Sequence, residues 1–82
     1  MTDYDKVPVD RMQSNVKRYV ENGKVHGDFL RNLLKNDLVG TFSHADLENQ
    51  RNMDEWITFV YNELPAECWG SEESVNDWSG IK

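Results

Sequence analysis

One cysteine, Cys68, is all the chain contains, so no internal disulfide can brace the fold. Cys68 also lacks the second thiol that a redox motif or a zinc pair needs. Pro and Gly are sparse and complexity is ordinary, which argues against a linker or a pervasively disordered chain. No apolar run approaches the roughly 20 residues of a membrane span, so no membrane association is expected. No stretch of Val, Ile, Thr and aromatics alternates with period two, which leaves β-strands without support. A signal peptide is missing as well. Together with the lone cysteine, this places the expected location in a reducing cytosol.

What is present fits a single domain of 82 residues. A chain this short buries only about 60–65% of its unfolded surface, so its core is thin. Self-association is therefore left open as a second source of stability. The net charge of −6 is unevenly spread. Residues 1–45 hold six acids and seven bases, whereas residues 46–82 hold nine acids against Arg51 and Lys82. Direct nucleic-acid binding by the second half is disfavoured, because phosphate contacts need clustered Lys and Arg. The acids form either a solubilising surface or a patch that attracts a basic partner.

Residues 1–8 show alternating charge and no apolar period, and are expected to form a loose N-terminal arm. Residues 9–82 are read as one all-α domain, a small bundle of four to five short helices. Val9, Met12, Val16, Tyr19 and Val20 share one helical face from Asp10 to the Asn22-Gly23 stop. Phe29, Leu30, Leu33, Leu34 and Leu38 form the densest apolar stripe, on a second helix starting at Asp28. Thr41-Phe42-Ser43 reads as a link, with Ser43 and Asp46 in capping-box spacing. Between residues 46 and 64 the pattern permits one helix or two, and a break at Asn52 is preferred. Pro65 then stops the chain, and Ser71 caps a short last helix ahead of Glu72 and Glu73.

Chemistry-bearing groups are few. Cys68 has Glu67 beside it, which opposes thiolate formation, so it reads as a small apolar filler. His26 with Asp28, and His44 with Asp46, lack the spacing of a metal site, and no metal or cofactor is expected. Gly23 and Gly27 lack the rest of a phosphate fingerprint. The aromatics are more telling. Trp56 belongs in the core, whereas Trp69, in a turn beside Gly70, can remain partly exposed and anchor a partner.

Several segments resemble a family of short bacteriophage and prophage proteins. They are Tyr19-Val20-Glu21-Asn22-Gly23, Gly27-Asp28-Phe29-Leu30, Leu34-Lys35-Asn36-Asp37-Leu38, Ala45-Asp46-Leu47-Glu48-Asn49, and the run from Tyr61 through Cys68-Trp69-Gly70-Ser71. The resemblance covers roughly residues 16–78 and implies a phage origin more than a mechanism. Its polar residues Asn36, Asp37, Asn49, Asn62 and Glu63 either cap helices and turns or gather with Trp69 and Tyr61 on one binding surface. The expected function is non-enzymatic: stoichiometric binding of a host protein in the bacterial cytoplasm, disabling a defence or nucleic-acid-handling factor. The alternative is an oligomer that sequesters a nucleotide-derived small signalling molecule, using Arg11, Lys17, Arg18, Arg31 and Lys35.

Overall fold

The computed structural model of the protein describes residues 2–81, which form helices and turns with no strand among them. Helix α1, Gln13–Asn22, is entered through a 3₁₀ turn at Asp10–Met12 and buries Val16, Tyr19 and Val20. It stops at Gly23, whose φ of 76° returns its N–H to the Tyr19 carbonyl at 2.8 Å. Any Cβ at Gly23 would also stand 2.7 Å from the Ser79 backbone, so glycine is required twice over.

Helix α2, Asp28–Leu34, sends Phe29, Leu30 and Leu34 into the core. The apolar stripe suggested that it continues through Leu38, but the chain reverses first. Asn36 adopts a left-handed φ of 66°, a conformation its short amide side chain tolerates. Asp37 then caps a new helix, α3 (Leu38–His44), by accepting from the Gly40 N–H at 3.0 Å. Thr41, Phe42 and Ser43 are therefore helical rather than a link, and Leu38 is 68% exposed instead of buried.

Helices α4 (Leu47–Arg51) and α5 (Met53–Glu63) are separated at Asn52, the break favoured by the sequence. Asp46 caps α4 through the Asn49 N–H, not Ser43, whose hydroxyl donates to the Gly40 carbonyl. Leu64 leaves the helical region at ψ 144° because Pro65 crowds the residue before it. A 3₁₀ turn at Ala66–Cys68 leads to Ser71, which caps α6 (Glu72–Asp77) by accepting from the Ser74 N–H. The all-α expectation holds: among the described residues there are six α-helices, four of them of seven residues or more.

Trp56 sits at the centre with no exposed surface, edge-on to Phe29 at 5.4 Å and to Phe59 at 6.2 Å. Three polar handles cross this core. Trp56 Nε1 donates to Asn49 Oδ1, the Tyr19 hydroxyl donates to the Cys68 carbonyl at 2.6 Å, and Trp78 Nε1 donates to the Tyr19 carbonyl.

The expected loose arm is laid against the domain. Val7 and Val9 are both core residues, because each exchanges water for apolar neighbours as Pro8 turns the chain between them. Glu63 secures the rest of this segment. Its carbonyl accepts from the Thr2 hydroxyl, and its carboxylate accepts from the Asp3 N–H and the Lys6 ammonium. A radius of gyration of 11.3 Å, against about 11.7 Å for a compact chain of this length, leaves no room for an extended tail.

Candidate functional site

Helix α5 is exposed along two adjoining strips. Met53, Ile57 and Tyr61 follow one another at four-residue spacing, with Val60 alongside, and face an apolar groove. One position round the helix, Asp54, Thr58 and Asn62 repeat the same spacing, joined by Glu55. One strip is thus oily and the next is polar and acidic.

The groove lies between α5 and α3. Leu38 and Thr41 of α3 form its far wall, Leu33 of α2 its floor, and Asn36 and Asp37 its polar lip. Its open volume is about 150 Å³. Tyr61 and Trp69 meet edge-on, with ring centroids 6.1 Å apart, and both border it. Tyr61 is 73% exposed and Ile57 50%, an uncommon pairing for residues of this size on one face. Beyond Leu38, the outer face of α3 adds exposed Val39 and Phe42. Trp69 Nε1 is buried without a hydrogen-bond partner among the described residues, so this corner combines an unsatisfied donor with apolar area.

Four of the seven residues singled out in the sequence meet here: Trp69, Tyr61, Asn36 and Asp37. Two of the four serve the backbone as well, Asn36 through its left-handed turn and Asp37 as a cap. Asn62 and Glu63 instead line a separate polar cavity of about 360 Å³, with Lys6, Asp54 and Glu55. Glu63 is engaged in holding the N-terminal segment. Asn49 is 4% exposed and serves the core by accepting from Trp56, so it is no part of any surface. Sequence reasoning missed Leu38, Met53 and Ile57 as groove residues. Asp37, an N-cap residue type three positions before Gly40, was the available signal, since it permits a new helix to start at Leu38.

The remaining chemistry is quiet. Burial first, and then the Glu67 carboxylate, push the Cys68 thiol up to about 12. Cys68 is fully enclosed, as an apolar filler would be. His44 pairs with Asp28 across α2 and α3 at 3.8 Å, while its Nδ1 contacts the Gly40 carbonyl. Among the described residues no three His, Cys, Asp or Glu side chains cluster so as to hold a metal ion. Among the described residues no helix is long and apolar enough to cross a membrane. Of the cations that a nucleotide site would call on, Arg11 bridges Asp46 and Glu48, and Lys35 lies 3.7 Å from Glu72.

No family model, no curated protein and no solved structure matches the chain.

Proposed function

We propose that this chain is a small, non-enzymatic binding protein that captures a host cytosolic protein stoichiometrically, in the manner of a phage-encoded accessory inhibitor. One observation carries the reading: the groove between α3 and α5, where Leu38, Ile57 and Tyr61 stand half or more exposed around a concave apolar surface. Water contact with that area is unfavourable, and covering it with a partner recovers about 25 cal/mol for each Å² buried. A Tyr edge-on to a Trp is a rigid anchor that loses little side-chain entropy on docking.

Charge narrows the target. With nine acids and two bases in residues 46–82, approach of a basic protein surface is accelerated and approach of an acidic one is resisted. A defence or nucleic-acid-handling factor, whose working surface is basic, suits this field. The nucleotide-sequestering alternative gains nothing from the groove, which is apolar, small and bordered by Asp37.

Affinity capture from bacterial lysate tests the reading, with wild type and Ile57→Asp run side by side. The reading expects one host protein retained near unit stoichiometry by wild type and lost with Ile57→Asp. Equal recovery on both baits overturns the groove as the docking surface.

A further inference from the structure

Resting on that reading, we infer that the element received by the groove is a basic amphipathic helix of the partner, lying along α5. Three features of the surface converge on this occupant. The first is shape. From Met53 to Tyr61 the apolar strip runs about 12 Å, or two helical turns, at a rise of 1.5 Å per residue. Between α3 and α5 this strip forms a trough, the form that takes the apolar face of a helix with anchors at i, i+4 and i+7.

The second feature is the polar strip immediately beside it. Asp54 is exposed at the start of α5, one position round from Met53, on the strip that adjoins the groove. A helix whose Leu-type residues enter the trough therefore presents its flanking positions to carboxylates, and Lys or Arg there completes the match. Asp37 on the opposite lip places a further acid on the groove's border.

The third feature is what the acids exclude. A second copy of this chain would bring the acids that flank its own groove, Asp37 and Asp54, against those of the first, and like charges there oppose self-docking. An extended strand is excluded as well, because the described residues hold no sheet edge to receive it.

The probe is an 18-residue peptide of Leu and Lys alone, with Leu at i, i+4 and i+7 spacing, titrated calorimetrically into the full chain. Two control peptides accompany it: the same composition in shuffled order, and the ordered peptide with Glu in place of Lys. We expect saturable one-to-one binding of the ordered Leu/Lys peptide, weakened about tenfold or more by Ile57→Asp and by Tyr61→Ala. The variant Asp54→Asn should flatten its salt dependence, and neither control should bind comparably. Binding that ignores peptide order, or that survives both Ile57→Asp and Tyr61→Ala, overturns the inference. Concentration-dependent self-association abolished by Ile57→Asp also overturns it, by assigning the groove to a second copy. If a host protein is captured through Ile57 yet the ordered Leu/Lys peptide fails to displace it, the binding function stands and the helical occupant falls.

Discussion

The side-chain oxygen of Asn49 accepts a 3.0 Å hydrogen bond from the indole Nε1 of Trp56, at the centre of the core. Both residues are buried, so neither can turn to water if the other is removed. Asn49→Ala should cost about 2–3 kcal/mol, the price of an orphaned buried donor plus a small cavity. Urea unfolding of the variant beside wild type checks this, and a change under 0.5 kcal/mol would refute it.

Gly23→Ala should destabilise by at least about 1–2 kcal/mol. Its left-handed φ disfavours any Cβ, and the Ser79 backbone lies 2.7 Å from where that Cβ would sit. Thermal unfolding reads the loss.

Stability should decline as pH rises above about 9. In the unfolded chain the Cys68 thiol titrates at its ordinary value of 9.0, whereas in the fold burial holds it at about 12. Between those values the folded state keeps the proton that the unfolded state releases, so each rise in pH favours unfolding. Tyr4, raised to about 12 first by burial and then by Glu21, acts with the same sign. Chemical denaturation at pH 7 and pH 10 measures the difference. Cys68→Ala should flatten part of the slope, and equal stability at both pH values would contradict the account.

Acid should act through a different group. The Asn49 backbone N–H, aided by Arg11, holds the Asp46 carboxyl below its ordinary value. This contribution is present above the ordinary carboxylate range and is lost as pH falls through the lowered value. Asp46→Asn should therefore be less sensitive to acid than wild type in the same denaturation series.

Tyr61→Ala should separate binding from folding. Tyr61 is 73% exposed, so its removal should change stability by less than about 1 kcal/mol. Partner affinity should fall by about 2 kcal/mol or more, near thirtyfold, if the ring anchors the complex. Trp69→Ala is the poorer probe, since Trp69 also packs on the core.

Helix positions were legible wherever a local signal stood alone. Gly23 and Pro65 marked helix ends, Ser71 marked a start, and Asn52 marked the break between α4 and α5. The α2–α3 corner was not legible. Leu38 extends the period of Leu30 and Leu34, and only the left-handed turn at Asn36 carries it away from that face. Because that turn was missed, Leu38 was counted as core and the groove it borders stayed hidden. Asn49 misled for the opposite reason: its partner, Trp56, is seven residues away and on another helix, a pairing that no spacing rule reports. The N-terminal segment looked unpatterned because its anchor is Glu63, about sixty residues distant.

Photo-crosslinking in bacterial lysate tests the docking face most directly, with p-benzoylphenylalanine placed at Tyr61 or, for comparison, at exposed Lys17 on α1. The account predicts a single prominent host adduct from position 61 and none of that mass from position 17. Adducts of one host protein from position 17 alone, or from both positions equally, would contradict it.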